Sequence, residues 1–278
     1  MQTREADFYR TPGPMTDLSS CPDEALAGLP DSPQELMAVV RGCVIEPATL
    51  THIYKLDVPA GRDDERQIRP AAGMVAKILE LENAPLAHAR PPEKRFFGTC
   101  RNYATLTAAL FRRAGIPTRV RAGFAGYFVP GTWMDHWIVE YARDGTWVRV
   151  DTELDDTWLA KRSPGTTSET LASSMYLSGS EAWRACRSGG SDPETFEMGG
   201  HRGIGEIRGS VLYDLAALNQ DEMLPWDAWG RMEAAYNSET DESYDELLDE
   251  VAEIVIADDF DKIREIYVRE PDLTAVFT

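Results

Sequence analysis

The sequence contains no apolar run approaching 18 residues, so no stretch reads as a helix that spans a membrane. It also lacks basic residues: 28 Lys and Arg stand against 47 Asp and Glu, a formal net charge of −19. That balance disfavours a nucleic-acid partner, because binding a polyanion needs a cationic footprint to release counterions. It disfavours docking to an anionic membrane for the same reason. Cysteine is scarce. Cys21, Cys43, Cys100 and Cys186 form no CxxC pair, which argues against both a zinc site and a disulfide framework. No repeat or low-complexity tract is present, and the N-terminal MQTREADFYRTPGPM has no apolar signal core. The expectation is a cytoplasmic protein with reduced thiols, with no metal and no cofactor called for.

The acidity that is present is uneven. Residues Glu239 to Thr278 hold fourteen acids against three bases, so most of the negative charge belongs to the C-terminal segment. With 278 residues, the chain is long enough for two domains or for one elaborated domain with a sizeable core. The first thirty residues are rich in turn formers and read as surface. Ser32-Pro33-Gln34-Glu35 then reads as a helix start, with Ser32 as N-cap, Pro33 at the first helical position and Glu35 closing a capping box. Apolar residues at helical spacing follow, and they place Cys43 in the core. Further helices are expected over 71–82, 100–114, 181–187, 209–218, 225–236 and 243–257. The acids of the last read as a solvated face. Strands are expected over 118–128, 136–143 and 146–151. His201, in a glycine-rich stretch, reads as a loop residue.

Asp144-Gly145 joins two of these strands and is a strong signal for a two-residue hairpin turn. A two-residue loop fixes the pairing. Glu140 falls opposite Arg149, Val139 opposite Val150 and Tyr141 opposite Val148. The valines and Tyr141, with Trp137, form an apolar face toward the core. The other face carries His136, which opposes Glu153, and Asp151, its diagonal neighbour. An imidazole and a carboxylate thus share one face of the hairpin. Cys100 opens an apolar helix, where the helix N-terminus favours a thiolate. A nearby imidazole serves as its base or ion-pair partner, and an Asp orients that imidazole. Trp133 is a candidate wall of an acyl site, Trp147 a candidate cover of the His136/Asp151 pair on the face it shares with them, and Arg101 and Asn102 are candidate substrate contacts, each with a packing or capping role as the alternative.

Three blocks carry a resemblance. GTCRNYATLTAALFRRAGIPTRVRAGF, DHWIVEY and WVRVD, at residues 98–124, 135–141 and 147–151, resemble in content and order the transglutaminase-like superfamily, whose core is papain-like. The resemblance covers about residues 96–155. It implies Cys100 as nucleophile, His136 as base and Asp151 as the carboxylate that orients it. It also implies acyl transfer at an amide bond through a thioester. Two departures stand out: His136 is followed directly by Trp137, and Asn102 stands where an acid is common.

The expected architecture is α+β, with a papain-like, transglutaminase-type core over 71–160. An N-terminal helical segment (1–70) and an acidic helical extension (161–278) are added to it, with one domain for the whole as the alternative. The expected substrate is a peptide or a small amide or thioester. The rival expectations are an amide-forming acyltransferase using a thioester donor, and a scaffold that keeps the fold without turnover.

Overall fold

The computed structural model describes residues 3–154, 171–172, 174–237 and 239–276. By internal contacts the chain divides into two compact units. One holds the chain up to Arg119 and from Ile138 to the end of the first described stretch. The other holds Val120–Trp137 and the chain from Leu171 onward. Helices and strands are mixed, as an α+β chain requires.

In the first unit, α1 (Thr3–Arg10) is followed by α2 (Pro33–Cys43), β1 (Val44–Ile45), α3 (Pro47–His52), α4 (Ala71–Leu81), β2 (Phe96–Phe97) and α5 (Cys100–Arg113). The start of α2 is the expected one: the Ser32 hydroxyl oxygen accepts from the Glu35 amide. The Glu35 carboxylate differs from a capping box, since it takes the Ser32 hydroxyl proton rather than the backbone amide. Cys43 ends α2 fully buried, as its apolar spacing predicts. β1 and β2 pair in parallel, Val44 with Phe96 and Ile45 with Phe97, and the Gly98 amide donates to the Ile45 carbonyl. A side chain at Gly98 would press on Val44 and Asn102, so glycine is what lets the chain turn here into α5.

The first thirty residues depart from the expected surface role. They include α1, and Tyr9 is 1% exposed. α1 is fastened by long-range contacts: Trp147 donates its indole proton to Glu5 and stands edge-on to Tyr9. Those contacts come from a residue far along the chain, and no local pattern announces them.

The sheet runs β6-β3-β4-β7-β8, with β5 also paired to β4. β3 is Thr118–Val129, β4 Thr132–Arg143, β5 Thr146–Val150, β6 Tyr176–Ser178, β7 Phe196–Met198 and β8 His201–Arg202. The hairpin β4–β5 has the expected register: Val139 faces Val150, Glu140 faces Arg149 and Tyr141 faces Val148. Asp144 and Gly145 adopt φ of 53° and 78°, the left-handed pair that this turn needs. Trp137, Val139, Tyr141 and Val150 are buried on the apolar face. On the other, the buried Glu140 carboxylate accepts from Arg149 (2.8 Å) and from Arg119 (2.6 Å). This gives the expected cross-strand pair a second cation.

In the second unit, β6 leads into α6 (Gly179–Arg187), and β8 into α7 (Ile204–Leu218). α7 is buried almost throughout. Its Asp214 holds Arg121 of β3 through two 2.7 Å bonds. The expected helix over 225–236 forms only as α8 (Met232–Tyr236). Before it, the Asp227 carboxylate accepts from the Leu224 amide, and the Trp229 indole donates to the Leu273 carbonyl. These tertiary bonds hold the segment in a turn where local propensity favours a helix. α9 (Glu242–Ile256) buries Tyr244, Leu248, Val251 and Val255, as its stripe predicts. Its acids are not only a solvated face. Asp245 clamps Arg208 with bonds of 2.8 and 2.9 Å, and Asp249 accepts from the Trp183 indole. A further helix, α10 (Phe260–Arg269), follows.

Candidate active site

Cys100 is the first residue of α5, half-buried and in no disulfide. Its helix end is rigid. The Asn102 side-chain oxygen accepts from the Thr99 amide (3.0 Å) and the Thr99 hydroxyl (3.2 Å). The Asn102 amide nitrogen donates to the Ile68 carbonyl at 3.3 Å. Asn102 is therefore a fully buried cap of the helix that Cys100 opens. Arg101 is fully buried as well, and donates to the Arg69 carbonyl at 2.6 Å. Both side chains hold the chain around Cys100.

His136 sits on β4 and is 2% exposed. Its ring stands edge-on to Phe128 (4.9 Å) and Tyr127 (6.0 Å), and its carbonyl accepts from the Tyr176 hydroxyl. Asp151 follows β5, 1% exposed, and its carboxylate accepts from the Glu153 amide at 2.9 Å. Between these acids, the Thr152 hydroxyl bonds to that of Thr107 on α5 at 3.0 Å. Thr107 gives its own proton to the Tyr103 carbonyl, which leaves Thr152 as the donor. The end of the β5 strand is in this way tied to the cysteine's helix, two turns along from Cys100.

The Cys100 sulfur, a ring nitrogen of His136 and a carboxylate oxygen of Glu153 all lie within 4.8 Å of one another. Sequence reasoning placed Glu153 opposite His136 and gave it no role. The hairpin count was the signal, since it sets Glu153 on the His136 face as firmly as it sets Asp151. The thiol, imidazole and carboxylate would also suit a single divalent cation as donors. Trp133 and Trp147 lie elsewhere. Trp133 stacks on Phe196 and covers Gly126. Trp147 pairs with Ala142, six residues along β4 from His136, or about 20 Å of strand. There it carries the Arg119 guanidinium 4.3 Å above its ring.

Residues 65–152 match the Transglutaminase-like superfamily. The match takes in α4, α5 and the β3–β5 strands, with Cys100, His136 and Asp151, and it stops one residue short of Glu153. Members of the Transglutaminase-like superfamily are typically cysteine enzymes of acyl transfer or hydrolysis. No curated protein and no solved structure matches the chain.

The electrostatic surroundings separate the thiols. Burial pushes Cys43 and Cys186 up to about 11, with Asp192 adding to the rise at Cys186 and Arg90 opposing it at Cys43. Burial and Asp17 raise Cys21. One turn along α5 from Cys100, burial raises the Tyr103 hydroxyl, and the Glu153 charge adds to the rise. Tyr103 is therefore a neutral donor, and its proton goes to the Val44 carbonyl at 2.9 Å. Beside His136, burial raises the Asp135 carboxyl, opposed by the His136 charge and by a bond from the Gly199 amide. Among the described residues, no helix is long and apolar enough to cross a membrane.

Proposed function

We propose that the chain is a cysteine-dependent acyl-transfer enzyme acting on an amide bond, with Cys100 as nucleophile, His136 as base and Asp151 as the carboxylate that orients His136. The observation that carries this reading is the grouping of the Cys100 sulfur with the His136 ring at the start of a capped helix. The helix N-terminus favours the thiolate, and a proton moved from Cys100 to His136 leaves an ion pair. The thiolate attacks the amide carbonyl. The Cys100 backbone amide is one donor to the oxyanion that forms. The imidazolium gives its proton to the leaving amine, and a thioester on Cys100 remains. Water or a second amine then takes the acyl group, with His136 removing the proton of the incoming nucleophile.

The catalytic core in this reading is papain-like and spans 71–160, with helical additions at 1–70 and 161–278. Its substrate is a peptide or a small amide. A thioester donor would turn the same residues to amide formation, and a silent scaffold would keep them without turnover. The charge of −19 favours no nucleic-acid partner. The reduced thiols fit a cytoplasmic setting.

The test is intact-mass labelling with iodoacetamide from pH 5 to 9, with peptide mapping, on the parent protein and His136→Ala. Selective labelling of Cys100 below pH 7, lost in His136→Ala, is expected. Labelling of Cys100 no faster than that of Cys21 would remove the nucleophile and favour the scaffold.

A further inference from the structure

We propose that residues 53–58 form a surface on which the substrate of Cys100 lies, so that this substrate is a peptide with large apolar side chains a few residues from the reacting amide. This rests on the reading of Cys100 as the nucleophile and adds a specificity-determining surface to it. Four large apolar side chains stand out within six residues: Ile53, Tyr54, Leu56 and Val58 are between 37% and 57% exposed. Among the described residues, the other large apolar side chains as exposed as these are Val129, Trp226, Val268 and Val276, spread along the chain. Single exposed apolar residues are ordinary, whereas a cluster of them marks a surface that something else covers.

The segment is held in one shape. The Ile53 and Tyr54 amides donate to the Thr49 carbonyl, and the Leu56 amide donates to the carbonyl of the fully buried Leu50. Between them Lys55 takes a φ of 59°, a left-handed conformation that lysine seldom adopts. Beyond the segment, the Arg62 guanidinium donates to the Glu93 and Arg95 carbonyls at 2.8 and 2.5 Å and lies 3.7 Å over the Phe97 ring. Arg62 also pairs with Glu65, whose carboxylate accepts from the Phe97 amide at 2.8 Å. Within the segment, the Tyr54 hydroxyl accepts from Arg95 at 3.5 Å.

The apolar residues are therefore fastened on both sides to residues 93–97, and that stretch reaches Cys100 three residues beyond Phe97. Arg95 and Cys100 are five residues apart, a span of at most about 17 Å. Tyr54 also acts electrostatically on Tyr103, one turn along α5 from Cys100. A peptide of about five residues with one end at the Cys100 sulfur is long enough to lie over Tyr54 and its neighbours. Its apolar side chains gain by leaving water there. A second copy of this chain is the poorer occupant, because two chains of net charge −19 repel each other.

The test uses the folded full-length protein and peptides that carry a reactive chloromethylene carbon. Two sequences of equal length are compared, Leu-Ser-Leu-Ser-Leu and Ser-Ser-Ser-Ser-Ser. Each bears the reactive carbon either at its N-terminus, as a chloroacetyl amide, or at its C-terminus, as a chloromethyl ketone, so both directions away from Cys100 are covered. The Cys100 sulfur bonds to the methylene carbon, the carbon–chlorine bond breaks and chloride leaves. Rates at Cys100 are followed by intact mass and peptide mapping.

In the parent protein the leucine peptide is expected to label Cys100 about tenfold or more faster than the serine peptide in at least one attachment, the size that covering one or two apolar side chains gives. Ile53→Ser with Leu56→Ser is expected to bring the two rates within about twofold of each other, and Leu56→Ser with Val58→Ser serves if the first pair fails to fold. Val268→Ser with Val276→Ser removes exposed apolar side chains elsewhere and is expected to leave the parent ratio within about twofold. No leucine preference in either attachment, a preference that survives the 53–58 variants, or an equal loss in the Val268 pair overturns the proposal. So does a dimer seen by sedimentation that the 53–58 variants dissociate while the ratio holds, which gives the surface to a second copy. 2-Chloroacetamide reports separately on the nucleophile. If it labels Cys100 no faster than Cys21, the reading of Cys100 fails, while the leucine-to-serine ratio still measures the surface.

Discussion

Cys43 and Cys100 are the same side chain at opposite ends of two packed helices. Cys43 is the last residue of α2, where unpaired carbonyls point and the helix dipole is negative. It is fully buried, its thiol donates to the Leu86 carbonyl at 3.4 Å, and burial holds it protonated with a pKa of about 11. Cys100 is the first residue of α5, where amides point and the dipole is positive. It is half-buried and grouped with an imidazole. Burial and position hold one thiol protonated; in the proposed function the other is the nucleophile, and the two differ in which end of a helix they take, how much water reaches them, and which neighbour they have.

The largest expected effect comes from removing one member of the pair. Cys100→Ala is expected to lower the rate of protein acylation by p-nitrophenyl acetate by roughly 10⁴ or more, whereas Cys43→Ala leaves it near the parent value. Mass spectrometry locates the acyl group, and an adduct forming at the parent rate in Cys100→Ala would break the comparison. Asp151→Asn is expected to cut the same rate by roughly 10²–10⁴, with an unchanged thermal midpoint. A midpoint that falls along with the rate would mark Asp151 as structural. At pH 6, Cys100 is expected to react with iodoacetamide about 10²-fold or more faster than Cys43, whose thiolate is scarce and shielded. Equal rates in the folded protein would erase the distinction.

Stability sharpens the contrast from the Cys43 side. An unperturbed thiol titrates at 9.0 and the folded Cys43 at about 11. Between those values the unfolded chain releases a proton that the folded chain keeps. The contribution is thus fully present below about pH 9 and is lost as pH rises through 11, costing about 3 kcal/mol. Urea midpoints at pH 8.5 and 11 measure it, and Cys43→Ala should flatten the slope. The smallest effect concerns the helix that delivers Cys43. Ser32→Ala removes the N-cap of α2 and is expected to cost about 1 kcal/mol, with the acylation rate at Cys100 unaffected.

Local chemistry made much of this legible in the sequence. The turn at Asp144-Gly145 set the β4–β5 register, and the same count placed Glu153 opposite His136, where the two side chains meet. Ser32 and Pro33 started α2 where expected, and the placement of Cys43 followed from apolar spacing. What stayed hidden depends on residues far apart in the chain. α1 is held by Trp147, the turn before α8 by Leu273, and two acids of α9 by Arg208 and Trp183. Asn102 and Arg101 read as candidate substrate contacts or helix caps beside Cys100, and their partners at Ile68 and Arg69 lie in another part of the chain. Glu153 was in view from the start. Its neighbour Asp151 matched a familiar pattern and drew the role.

The exposed hairpin tip, about 26 Å of strand from His136, offers an unusual handle to anyone redesigning this protein. Side chains alternate, so one residue added on the β5 arm, with the Asp144-Gly145 turn kept, is expected to turn both carboxylates away from the histidine and toward the core. Two added residues return them to the same side, one pair further along, with Asp151 arriving where Glu153 had been. The β5 arm is thus an even–odd counter: two residues added to it exchange the acids in front of the histidine, and an odd number removes both.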